Sequence, residues 1–237
     1  MQQDYSVYQV FAKDVLDVVY NDVGLLVTAF THRSYVNEHR KTAQFHNERL
    51  EFLGDAVLEL VVTEYLYGNY DDPEGTLTNW RSSLVRTESI SAAALNFDFE
   101  PLLRLSRGEK RGTPRARAQI LANCYEAVVG SLYIDQGFDA AKHFIHKSLL
   151  VTFGDILKSG SWVDAKSMLQ ELAQSQDGHT PVYKVLSEEG PDHDKIFRVG
   201  VFVDGNIKGE GTGPSKQAGQ QKAAESALEL YKPADPT

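Results

Sequence analysis

Residues His46–Tyr67 read HNERLEFLGDAVLELVVTEYLY, and this stretch decides most of the fold. Its apolar residues recur at three- and four-residue steps over a length no strand reaches, which predicts a helix over 46–68. On a helix turning about 100° per residue, with Glu48 at about 0°, Glu51 falls at about 300°, Asp55 at about 340° and Glu59 at about 20°. The four carboxylates share one stripe, and Leu50, Leu53, Val57, Leu60 and Val61 take up the rest of the circumference. A solvated face mixes signs, whereas this seam holds no lysine, and like charges one turn apart destabilise a helix. Either the acids simply face water, or the seam lies inside the molecule and needs a counter-charge. A hard cation bound through oxygen, Mg²⁺ or Mn²⁺, would supply it.

A second half of such a site lies in QILANCYEAVVGSLYID, residues 119–135. Asn123 and Glu126 are three apart and share a helix face. Ala122, Ala127, Val128 and Gly130 are small enough to admit a neighbouring helix at short range. Two such helices face to face would gather Glu51, Asp55, Asn123 and Glu126 around one pocket, a common way to build a metal site among helices. The competing reading is an ordinary packed helix with one exposed acid.

Working outward, helical periodicity covers 4–20, 23–33, 46–68, 76–94, 115–136 and 138–158, with Pro73, Gly75, Pro101, Gly108, Gly112 and Pro114 as breaks. The first 156 residues therefore predict a mainly α domain. A linker is expected at 157–163, LKSGSWV. From 164 to 232 the pattern changes to helix, three short strands and helix, a small α+β domain ordered α-β-β-β-α, followed by a tail over 233–237. The strands are expected at Val182–Leu186, Lys195–Val203 and Asn206–Gly211, with Asp204-Gly205 as a hairpin turn.

The 237 residues are 42% hydrophobic and 24% charged, as in an ordinary globular chain large enough for two cores. No apolar run approaches the roughly 20 residues of a membrane helix. The opening MQQDYSVYQV has no basic segment ahead of an apolar one, so no secretory signal is expected. The single cysteine, Cys124, excludes an internal disulfide or a cysteine-rich zinc site and fits a reduced, cytoplasmic setting. Net charge is −9, which alone argues against a polyanionic partner. Positive charge is local, however. Arg104, Arg107, Lys110, Arg111, Arg115 and Arg117 stand against Glu109 alone, six minus one, or +5 over residues 104–117. No P-loop is present, so no nucleotide cofactor is expected, and Gly209, Gly211 and Gly213 are read as strand-end turns.

HNERLEFLGDAVLEL closely resembles the signature of ribonuclease III nucleases. AFTHRSY at Ala29–Tyr35 resembles the family's other recurring segment, ILANCYEAVVGSLY at 120–133 resembles its second metal-binding helix, and the last 70 or so residues resemble a double-stranded RNA-binding domain. The resemblance runs from about Asp22 to Tyr231. It implies a divalent-metal endoribonuclease acting on double-stranded RNA and leaving 5′-phosphate and 3′-hydroxyl ends. Ribosomal RNA precursors and other structured RNAs are the implied substrates.

Carried over position by position, Glu51, Asp55 and Glu126 match metal ligands, with Asp55, Glu126, Glu48 and Glu74 as the acids of the cleavage site. Phe52 matches a residue of the subunit interface. Asn123 stands where the family usually has Asp. Its carbonyl can still ligate, without the charge, so active enzyme with weaker metal affinity is expected. The small domain's RNA contacts fall on Gln170, Glu171, His193, Ser215, Lys216 and Lys222. That domain is poor in cations, with eight Lys/Arg and twelve Asp/Glu from Asp164 to Thr237, a net of −4. More of the RNA affinity is therefore expected from residues 104–117.

Water attack on a phosphodiester, assisted by metal, needs neither a Ser/His/Asp triad nor a cysteine nucleophile. His32 and His46 are read mainly as structural. One acidic site cuts one strand, and the two-fold symmetry of a duplex predicts a homodimer. The alternative is a catalytically impaired RNA-binding or ribosome-associated relative.

Overall fold

The computed structural model describes residues 5–41, 43–159, 165–191 and 195–231. The chain separates into two compact units, Met1–Trp162 and Val163–Thr237.

The first unit is helical: α1 Ser6–Asp14, α2 Val23–Ala29, α3 Arg33–Glu38, α4 Glu48–Asn69, α5 Glu74–Val85, α6 Thr87–Asn96, α7 Pro114–Gln136, α8 Phe138–Ser148 and α9 Phe153–Ser159. Helix α7 runs through the middle, with Leu121, Cys124, Tyr125, Val128, Val129 and Leu132 all buried. Thr113 caps its start by accepting from the Ala116 N–H, Pro114 occupies the first turn, and Gly137 ends it at φ 88°. Phe11, Phe30, Phe99, Tyr125 and Phe144 form a chain of ring contacts across the core.

Helices α4 and α7 meet backbone to backbone. A Cβ on Gly54 would lie 1.7 Å from the Glu126 carbonyl oxygen, and one on Gly130 would lie 2.2 Å from that of Leu50. Only glycine at both positions permits this approach, and it brings the two acidic segments together.

Four of the expected helices are shorter or divided. The segment 4–20 stops at Asp14, and Asp17 takes a left-handed φ of 59°. The segment 23–33 breaks because Thr31 forms a bridge with Arg104. Arg104 N–H donates to the Phe30 carbonyl at 2.9 Å and Asn47 N–H to that of Thr31 at 2.9 Å, so AFTHRSY is the clasp that fixes the start of α4. The segment 76–94 divides at Arg86, whose backbone is extended (ψ 154°), and the Ser89 hydroxyl captures the freed Ser83 carbonyl at 2.7 Å. The segment 138–158 is interrupted by a 3₁₀ turn at Leu150–Thr152. At the expected linker, Leu157–Ser159 instead continue α9, because Ile156 and Leu157 still pack on the core. Residues 160–164 lie outside the described residues.

In the second unit, α10 Ala165–Gln176 precedes an antiparallel sheet of order β1-β2-β3, with β1 Val182–Glu189, β2 Ile196–Val203 and β3 Asn206–Gly213. Helix α11 Lys216–Leu228 follows. Asp204 and Gly205 turn the second hairpin, both at positive φ. Gly209, Gly211 and Gly213 lie within β3 rather than in turns. A Cβ on Gly209 or Gly211 would lie 2.4 or 2.3 Å from the backbone of Ala223, so the glycines let α11 lie flat on the strand. Ala165, Leu169, Val201, Ala223, Ala224 and Ala227 make a separate small core.

Candidate active site

Glu51 and Asp55 on α4, and Asn123 and Glu126 on α7, converge where the glycines bring the helices into contact. Glu51, Asn123 and Glu126 are half-buried, and Asp55 is exposed. Burial first, then the charges of Asp55 and Glu51, push the Glu126 carboxyl up to about 8. Burial and the charge of Glu48 raise Glu51, while a hydrogen bond from the Asn123 amide works the other way. The acids therefore feel one another across the helix interface. Among the described residues no group of three or more His, Cys, Asp or Glu closes around one point.

Asn123 has its carbonyl engaged: the Gln119 amide donates to its Oδ1 at 2.7 Å. Glu48, the first residue of α4, is exposed and lies 3.5 Å from Arg33 and 3.8 Å from His46. His32 caps α3, its Nδ1 facing the Ser34 N–H at 3.3 Å, and burial lowers its pKa. His32 thus serves the local frame of α3. Glu59, the fourth acid of the seam, lies 3.9 Å from Arg81 of α5.

Glu74 does not join the cluster. It opens α5 and lines a cavity of about 490 Å³ with Thr63, Leu66, Tyr67, Leu77 and Arg81. Phe52 is 83% exposed, which is unusual for a side chain of that size. It continues along α4 into Leu60 and Tyr67, also exposed, and the three fall within about 80° of one another on the helix. The residue spacing alone did not separate this stripe from the buried ones, because α4 is apolar nearly all round.

Of the six cations in residues 104–117, two are structural. Arg104 lies over the Tyr35 ring at 4.4 Å, and Arg117 lies 3.4 Å from Glu100. Arg107, Lys110, Arg111 and Arg115 are exposed around a 3₁₀ turn at Glu109–Arg111.

In the second unit Gln170 and Glu171 are exposed on α10, and Lys222 is exposed on α11. Ser215 caps α11, accepting from the Ala218 N–H at 3.1 Å. Lys216 follows it, 3.3 Å from Glu188 and 5.6 Å from the centre of the Phe197 ring. His193 lies outside the described residues.

Comparison with known proteins agrees with this anatomy. Residues 22–153 match the model of the ribonuclease-III-like family, and residues 165–231 match that of the double-stranded RNA binding motif. The chain is 45% identical over 219 residues to ribonuclease 3 of Streptococcus gordonii, covering 91% of this chain and 93% of that one. It is 42% identical to ribonuclease 3 of Pelotomaculum thermopropionicum over 91% of this chain and 90% of that one. Among solved structures, the nuclease domain of ribonuclease III from Campylobacter jejuni is similar, at 34% identity and a TM-score of 0.52. That match covers 58% of this chain and 96% of that one, and the structure is described as flexible in a region involved in dimer formation.

Proposed function

The chain belongs to the ribonuclease III family, and from that premise we propose that it hydrolyses double-stranded RNA with its chemistry at the α4–α7 contact. The single observation that carries this reading is the Gly54–Gly130 contact, which sets the half-buried Glu126 of α7 against the helix that carries Glu51 and Asp55. A donor set of hard oxygens with surplus negative charge in partly apolar surroundings suits Mg²⁺, with Mn²⁺ as its substitute.

Glu51, Asp55 and Glu126 are the residues that would hold the ions. Bound there, a divalent ion lowers the pKa of an attacking water and offsets charge on the phosphate and the leaving oxygen. The chain's own residues hold that chemistry in place. The Gly54–Gly130 contact sets the spacing of the two helices, and the Thr31–Asn47 clasp sets where α4 begins. Glu48, near Arg33 and His46, borders the site as a supporting acid.

Duplex RNA is recognised by shape, through phosphates and 2′-hydroxyls. Gln170 and Glu171 supply polar groups for the minor groove, with His193 on the β1–β2 connection. The capped start of α11, with Ser215, Lys216 and Lys222, offers N–H groups and charge to a phosphate. Arg107, Lys110, Arg111 and Arg115 add a second cationic surface on the nuclease unit. Glu74, at the start of α5 and outside the α4–α7 cluster, is the further acid that the family resemblance implies for cleavage.

Two chains pair through the α4 stripe of Phe52, Leu60 and Tyr67, giving one site per strand. Among the described residues no helix is long and apolar enough to cross a membrane, and a cytoplasmic role in processing ribosomal RNA precursors and structured messenger RNA fits. The products carry 5′-phosphate and 3′-hydroxyl ends.

Incubating the purified protein with a long RNA duplex, with Mg²⁺ and then with EDTA, tests this. Metal-dependent short products are expected. A duplex that is bound but left intact at saturating Mg²⁺ would favour the impaired relative instead.

A further inference from the structure

Arg33, Val36 and Asn37 of α3, Gln44 and His46 of the segment after it, and Glu48 at the start of α4 line a cavity of about 430 Å³. All but Val36 carry hydrogen-bonding side chains, and the volume lies in the range of ligand sites, about 300–1,000 Å³. The walls are fixed to the acidic helix. His32 caps α3, and the Asn47 N–H donates to the Thr31 carbonyl at 2.9 Å. Glu48 stands one turn before Glu51, about 4.5 Å along the axis and within about 60° around it. A strand held at Glu51 and Asp55 therefore has a neighbouring ribose within reach of the cavity.

The lining mixes both hydrogen-bonding roles. Arg33 only donates and Glu48 only accepts, while the amides of Asn37 and Gln44 do both. Glu48 lies 3.5 Å from Arg33 and 3.8 Å from His46. Both distances exceed the roughly 2.8 Å of a charge-assisted hydrogen bond, so the carboxylate keeps acceptor capacity for a ligand. A phosphate only accepts, and it would meet the charge of Glu48. A ribose hydroxyl donates as well as accepts, and the 2′-hydroxyl is the group that separates RNA from DNA.

We infer that this cavity takes the 2′-hydroxyl of a nucleotide beside the cut, with Glu48 accepting its hydrogen bond and the Asn37 and Gln44 amides donating to its oxygen. The nuclease unit then reads RNA against DNA by itself, apart from the small domain. This rests on the α4–α7 contact being the cleavage site.

The test uses the full chain and a defined RNA duplex whose cut position is first mapped from the wild-type products. Single 2′-deoxy substitutions are then placed at each nucleotide flanking the cut, and kcat/KM is measured at saturating Mg²⁺. One position is expected to cost the wild type about tenfold, the worth of a hydrogen bond to a charged group. A 2′-fluoro group there, which keeps the ribose pucker but cannot donate, should cost as much as 2′-deoxy. In the Asn37→Ala, Gln44→Ala double variant the penalty at that position should largely vanish, because the variant has lost the contact on every substrate. Both positions are exposed, so melting temperatures should match the wild type.

A deoxy penalty as large in the variant as in the wild type would overturn the assignment, as would a wild type indifferent to 2′-deoxy at every flanking position. An unchanged penalty with a shallower salt dependence of binding would make the cavity a phosphate site instead. Asp55→Asn reports on the reading beneath the proposal. Full cleavage by that variant removes the α4–α7 site and the hydroxyl pocket with it, whereas lost cleavage there beside an undiminished deoxy penalty overturns only the pocket.

Discussion

At the scale of single residues, the site is governed by how much negative charge the helix contact can hold. Glu126 has an ordinary carboxyl value of 4.5 and is pushed up to about 8, with burial as the leading cause. In the metal-free protein, at pH values between these two, the folded chain keeps a proton that the unfolded chain has released. Stability from this group is therefore full at low pH and falls as pH rises through that window. The melting temperature of the wild type in EDTA should drop relative to Glu126→Gln as pH rises from about 5 to about 8. A constant difference between the two would show that Glu126 is not strained by its neighbours. The acids were legible from their spacing on the chain. Their unequal burial was not, because depth depends on which helix covers each residue. The engagement of Asn123 by Gln119 had no separate signal beyond an i,i+4 pair, which helices contain by the dozen.

At the scale of elements, the glycine contact between α4 and α7 is the feature on which the site depends. The small residues of 119–135 pointed to a close neighbour, but which glycine met which carbonyl depended on the crossing of two helices far apart in sequence. Gly54→Ala places a methyl group 1.7 Å from the Glu126 carbonyl oxygen, which cannot be met by a side-chain rotation. The helices must part. The expected cost is about 3 kcal/mol, the upper end for overpacking a core. It should be accompanied by loss of Mg²⁺-dependent cleavage even at temperatures where the variant remains folded. Gly68→Ala is the control, since a Cβ there meets nothing within 4 Å, and it should leave cleavage unchanged and melting unchanged or slightly raised. Equal behaviour of the two variants in melting and cleavage assays would remove the contact from its organising role. The small domain shows the same device, with the glycines of β3 under α11. There the sequence reading placed the glycines in turns, because a glycine in a strand and a glycine in a turn look alike until the helix above the strand is known.

At the scale of the whole molecule, the question is how a chain with one acidic site acts on a two-stranded substrate. Each unit has its own core, and only the first carries the acids. A single nuclease unit can address one strand at a time. The side of α4 that carries Phe52, Leu60 and Tyr67 exposes large apolar groups that a monomer would leave in water. A second copy related by a two-fold would cover that stripe with its own and bring a second acidic site to the opposite strand. Phe52→Glu places a charge at the N-terminal end of the stripe without touching the core, since Phe52 is 83% exposed. Analytical ultracentrifugation should show the wild type at the mass of two chains and the variant at the mass of one. Melting of the variant should fall with dilution no more than that of a monomer. On a long duplex the wild type should release products cut in both strands, and the variant should leave mostly single-strand nicks. Wild-type protein that sediments as one chain yet cuts both strands at full rate would break the link between the stripe and the substrate's symmetry. The apolar face of α4 would then need another occupant.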